Sequence, residues 1–158
     1  MITFLLALVI LGSLPAFGAA LIFIYRGWRG DERALRRGAS LAGWITVGMC
    51  GVYLGLAFTA PAHPAASVEI FFNGLLISIL ILLRYHSVTP RLIAASFLIG
   101  MHGVWDGLHL LALPIATALV PSWYAVACAI FDLAYFGAVL PICFQMLRAA
   151  SIPSPQKT

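Results

Sequence analysis

Three ionisable side chains fall within one short stretch of an otherwise apolar segment, Met101-His102-Gly103-Val104-Trp105-Asp106-Gly107-Leu108-His109. His102, Asp106 and His109 stand at i, i+4 and i+7. At about 100° per residue on a helix they lie within roughly 60° of one another and share a face. Two imidazoles and a carboxylate, joined by a second carboxylate, suit zinc or iron and leave a position for water or substrate. The same groups relay protons as Asp/His pairs, or hydrogen-bond one helix to another. Ionisable groups inside an apolar segment are costly, so they pair, line a cavity or bind something. The spacing His-x3-Asp-x2-His is not a signature of the HExxH kind, so these readings stay open on the motif alone.

The elements that carry this face are membrane-like. The chain has 158 residues, 63% hydrophobic and 9% charged, with a mean hydropathy of +1.04. Soluble domains are about 25% charged, so there is too little polar surface here to cover a water-soluble globule. Five runs approach the roughly 20 residues that cross a bilayer core: Thr3–Tyr25, Ala39–Ala60, Ala66–Leu83, Leu92–Leu113 and Trp123–Leu147. They are continuous rather than alternating and too long for barrel strands. The expectation is an all-α integral membrane bundle of five transmembrane helices in a single domain, residues 1–150, with a polar tail at 151–158. The first run has no basic residue before it and continues past Ala16-Phe17-Gly18-Ala19, so it is expected to remain as a helix rather than be cleaved as a leader.

Basic residues set the expected orientation. Arg26, Arg29, Arg33, Arg36 and Arg37 lie in the first connection, Arg84 and Arg91 in the third, Arg148 and Lys157 after the fifth helix. The second connection, Pro61–Ser67, and the fourth, Pro114–Ser122, have none. The positive-inside rule then puts the N-terminus outside and the C-terminus inside, as in a bacterial cytoplasmic membrane. The net charge of +4 is a topology signal and not a nucleic-acid footprint, which needs a basic stripe on polar surface. The segment Arg26–Gly38 is expected to form a short amphipathic turn at the membrane surface. Trp28, Trp44, Trp123, Tyr85 and Tyr124 lie near helix ends as interfacial anchors do. Cys50, Cys128 and Cys143 fall inside the apolar runs with no disulfide or CxxC pattern, and read as small buried residues.

At 1.5 Å per residue the depths of the polar groups can be compared. His102 lies near mid-membrane and His109 nearer the outer surface. Asp132, nine residues past Trp123, reaches the depth of His102, with Cys128 one turn above. Glu69 lies near the outer interface and Asn73 one turn deeper on the same face. The expected pocket therefore gathers His102, Asp106, His109 and Asp132, supported by Asn73, Glu69, Trp105 and Cys128, near the outer face. A haem is disfavoured, because His102 and His109 on one helix face cannot bind opposite sides of a ring. His63 and His86 sit in opposite loops.

Helix two contains Gly48-Met49-Cys50-Gly51-Val52-Tyr53-Leu54-Gly55, and helix four Gly100-Met101-His102-Gly103-Val104-Trp105-Asp106-Gly107. Five of these eight positions match, which fits a duplicated two-helix hairpin. Cys50, Leu54 and Ala57 would be the counterparts of His102, Asp106 and His109. The glycines Gly48, Gly51, Gly55, Gly100, Gly103 and Gly107 are expected to pack helices closely.

His102-Gly103-Val104-Trp105-Asp106-Gly107-Leu108-His109, followed by Cys128-Ala129-Ile130-Phe131-Asp132, resembles a group of small bacterial multipass membrane proteins of unknown function with an HGxWDxxH motif and a later C-x2-[FY]-D. Many of them carry a second His after the motif, where this chain has Leu110. The resemblance implies that His102, Asp106, His109 and Asp132 matter and implies no reaction. The function classes that remain are a pocket for a divalent metal (zinc or iron) or a small polar ligand, an accessory subunit of a larger membrane complex or homo-oligomer tied by the cluster, and a proton or ion pathway. The lipid bilayer is the one expected partner in all three.

Overall fold

The computed structural model describes residues 2–111 and 119–150. These residues form helices and connecting turns, with no strand among them. The helices are α1 (Ile2–Trp28), α2 (Glu32–Thr59), α3 (Ala66–Leu83), α4 (Val88–Leu110) and α5 (Ser122–Ala150). Most of the fourth connection, the end of the expected run Leu92–Leu113 and the tail Ser151–Thr158 lie outside the described residues.

α3 has the bounds that its apolar run predicts. α2 starts earlier than expected, and the surface turn over Arg26–Gly38 is replaced by helix from Glu32 onward. Local chemistry accounts for this. Gly30 takes a left-handed backbone at φ 106°, which a Cβ would disfavour. Asp31 then caps α2, its Oδ1 accepting from the Ala34 amide at 2.9 Å. Its Oδ2 accepts from Arg26 at 3.0 Å, and Glu32 and Arg36 pair across one helical turn at 2.6 Å. The α1–α2 connection is thus a tight capped turn. Pro15 and Pro141 are accommodated inside α1 and α5.

α2 packs against α1, α3 and α4, and α4 packs against α2, α3 and α5, with α1 also against α5. The apolar core is built from Phe17, Ala20 and Ile24 of α1, Ala39 and Ala42 of α2, Leu92 and Ile99 of α4, and Val139 of α5. The outside is as apolar as the inside. Phe4, Trp44, Phe71 and Leu82 are all about two-thirds exposed or more. Glu69, Asn73, His102, Asp106 and Asp132 are at most 1% exposed. Polar inside and apolar outside is the distribution expected where the surrounding medium is lipid.

α1, α2, α3 and α5 are long and apolar enough to cross a membrane. α4 is not in that set. The residues that lower its hydropathy, His102, Asp106 and His109, are buried against neighbouring helices, so its polarity is hidden by the fold.

The Ala34 amide holds the Asp31 carboxyl below its ordinary value, with Arg26 adding to the effect. A carboxyl lowered on folding stabilises above the ordinary carboxylate range, and that stability is lost as pH falls through the lowered value. Asp31→Ala is expected to lower the melting temperature at neutral pH, and Asp31→Asn to retain most of the cap but lose its acid sensitivity. Thermal unfolding in detergent, followed by circular dichroism from neutral to acid pH, checks both.

Candidate functional site

The buried polar residues form two adjoining clusters, both built on the inward face of α4. In the first, His102 points its Nδ1 between two carboxylates. Asp132 Oδ2 of α5 is 3.1 Å away and in hydrogen-bond geometry; Asp106 Oδ2, one turn along α4, is 3.2 Å away but takes no hydrogen bond. The other Asp106 oxygen accepts from the Tyr53 hydroxyl of α2 in a short hydrogen bond. His102 Nε2 has no partner. One ligand atom from each of His102, Asp106 and Asp132 lies within 4.8 Å of the others, and all three residues are buried.

The second cluster centres on Glu69 of α3. Its Oε2 accepts from Trp105 Nε1 at 3.1 Å and from Asn73 Nδ2 at 3.0 Å. Its Oε1 lies 2.6 Å from His109 Nε2. His109 Nδ1 faces the Trp105 carbonyl at 2.9 Å, so Nδ1 carries a hydrogen and donates it. Phe72 stacks on Trp105 with 4.3 Å between ring centres and walls this cluster off.

The expected gathering therefore occurs, divided in two. His109 is held by Glu69 and does not join His102 as a metal ligand, so the donor set falls from two imidazoles to one imidazole and two carboxylates. Distance along the axis explains this. His102 and Asp106 meet α5 and α2, whereas His109, about 10 Å along α4 from His102 at 1.5 Å per residue, reaches α3. Asn73 and Trp105 serve Glu69. Cys128 is half-buried and lines a cavity beside Asp132.

Tyr53 is the site residue that sequence reasoning missed, having entered there only as a member of the glycine-rich octet of α2. It is 1% exposed, and its ring stands edge-on to His102 at 5.0 Å and 5.6 Å from His109, between the two clusters. The available signal was a tyrosine hydroxyl deep in an apolar helix, which must find a partner when buried.

The glycines also divide. A Cβ on Gly103 would stand 2.8 Å from Asp132 Cβ, and one on Gly100 would stand 2.7 Å from Phe136. These two let α5 approach α4 and bring Asp132 to His102. Gly48, Gly51, Gly55 and Gly107 meet nothing within 4 Å, so within this chain they are not packing positions, contrary to expectation. A Cβ on Gly27 or Gly38 would likewise stand 2.6–2.7 Å from a side chain across the α1–α2 contact, so close approach is needed at the α4–α5 and α1–α2 crossings.

Comparison with protein-family models, with curated proteins and with solved structures returned no match.

Gly103→Ala is expected to force α5 outward and destabilise by about 1–3 kcal/mol, as overpacking does. Gly107→Ala is expected to be neutral or to stabilise by up to about 1 kcal/mol through helix propensity. Tyr53→Phe leaves an Asp106 oxygen buried without its donor, at a cost of about 1–3 kcal/mol. Unfolding of the three variants in matched detergent measures these differences.

Proposed function

We propose that this is an integral membrane protein whose five helices all span a bacterial cytoplasmic membrane, N-terminus outside, with an intramembrane divalent-metal site formed by His102, Asp106 and Asp132. The observation that carries the metal reading is the convergence of three buried donors, one of them a carboxylate oxygen, Asp106 Oδ2, that no hydrogen bond satisfies. Buried polar atoms are ordinarily paired, and a cation would satisfy this one. The spacing fits. Metal–ligand bonds of about 2.1 Å in a tetrahedron set neighbouring donors about 3.4 Å apart, and Nδ1 is 3.1 and 3.2 Å from the two carboxylate oxygens. One imidazole and two carboxylates suit zinc or iron, with a further position left for water or a small polar ligand. Tyr53 would orient Asp106 by its second oxygen, as outer hydrogen bonds orient metal-binding carboxylates.

The orientation rests on the absence of Lys and Arg from the second and fourth connections. We likewise propose kinship with the small bacterial membrane proteins that share the HGxWDxxH pattern, and a duplicated hairpin origin for α2–α3 and α4–α5, supported by the matching glycine-rich octets. A second reading is favoured by the His102–Asp132 hydrogen bond: the cluster ties α4 to α5 in an accessory subunit of a larger membrane complex or homo-oligomer.

Elemental analysis of protein purified without a histidine tag separates the two. A metal site predicts stoichiometric zinc or iron in the wild type and at least roughly tenfold less in Asp106→Asn and Asp132→Asn, since even outer-shell changes cost that much. A structural tie predicts no metal in any variant and a loss of about 1 kcal/mol of stability for each interhelical bond removed.

A further inference from the structure

α2 and α5 both border α1 and do not pack extensively on each other. A cavity of about 240 Å³ occupies the space between them, covered on one side by α1. An apolar protein cavity of about 150 Å³ already accepts a benzene ring, so this one holds a ring or the leading part of a chain. Its walls are almost wholly apolar, including Val9, Ile10, Phe17, Trp44 and Phe131. Two of its residues, Val9 and Trp44, are 44% and 70% exposed on the apolar outer surface, so the cavity opens sideways toward lipid. Gly48 sits in the wall, where a Cβ would meet nothing within 4 Å.

The α5 wall carries the polar groups: Asp132, with Tyr124 and Cys128 on the same helix. Asp132 is 1% exposed. Its Oδ2 is used by His102, while among the described residues no hydrogen bond to its Oδ1 is seen. An acceptor without a donor in the wall of an apolar cavity calls for a ligand that is apolar along its length and donates a hydrogen bond at its head. A fatty acid carboxylate would be repelled by Asp132, and a plain hydrocarbon would leave it unsatisfied. We propose that this cavity binds a membrane-soluble alcohol or phenol, which enters from the lipid between α1 and α2 and donates its hydroxyl hydrogen to Asp132. The site stands on the cavity and the carboxylate, with or without a metal at His102.

The probe is 4-hexylphenol, with hexylbenzene as the same body lacking the donor. Retention is read by native mass spectrometry of the detergent-purified chain, after chelator treatment. The expected result is one 4-hexylphenol per chain and about tenfold weaker retention of hexylbenzene, as befits loss of a hydrogen bond to a charged acceptor. Gly48→Leu should fill the cavity and reduce 4-hexylphenol retention at least tenfold. Gly55→Leu, on the same helix but outside the cavity lining and also in open space, should leave it unchanged. Equal retention by the wild type and Gly48→Leu, or equal retention of the two probes, overturns the proposal. So does a change of oligomeric mass in Gly48→Leu with phenol retention intact, which would assign this face to a second copy of the chain. Because the metal is stripped beforehand, binding to the metal-free chain stands or falls separately from the elemental analysis.

Discussion

A buried carboxylate must be paired, hydrogen-bonded or bound to a cation, because its solvation free energy is lost on leaving water. Three of the five acidic residues of this chain, Glu69, Asp106 and Asp132, are at most 1% exposed. The arrangement of helices follows from answering that demand. Asp132 comes to His102 because Gly103 has no side chain to hold α5 away. Asp106 draws Tyr53, and with it α2, to α4. Glu69 is met by His109 and Trp105 of α4, which fixes α3. Each of these pairs joins α4 to a different neighbour, so the helix outside the set of membrane-length apolar helices organises the bundle.

The two clusters answer the demand unequally, and the difference separates structure from function. Around Glu69 both carboxylate oxygens have donors. That carboxylate ties α3 to α4, although the buried Asn73 Oδ1 beside it has no partner. Around His102 an Asp106 oxygen remains unsatisfied although buried, and an Asp132 oxygen faces an apolar cavity without a donor. Buried polar atoms are ordinarily paired, and the two proposals above rest on these two oxygens. Both the metal and the hydroxyl ligand proposed above are donors of positive charge or of a hydrogen, and the two proposals share Asp132.

The glycines illustrate how a pattern can be present without its usual consequence. Gly51 and Gly55 repeat the spacing of Gly103 and Gly107, yet of the glycines in the two matching octets only Gly100 and Gly103 meet a neighbouring helix closely. Spacing puts small residues on one face; which helix arrives at that face depends on where the polar partners pull it. Gly48 has become part of a cavity wall instead.

The apolar runs by themselves determined that the chain forms long helices, and the bounds of α3 are those of its run. Periodicity put His102, Asp106 and His109 on one face, and depth along the helices brought Asp132, Glu69 and Asn73 into range, because both depend only on the 3.6-residue turn and the rise per residue. Local capping by Asp31, which starts α2 at Glu32, was equally available in the residues but yielded to the weight of the arginines around it. The division of the cluster, the separation of His109 from His102, the entry of Tyr53 and the cavity beside Asp132 were decided by tertiary structure alone. They depend on the rotation of each helix about its axis and on which pairs touch. Those are set by packing between residues distant in the chain, which no periodicity within one helix encodes.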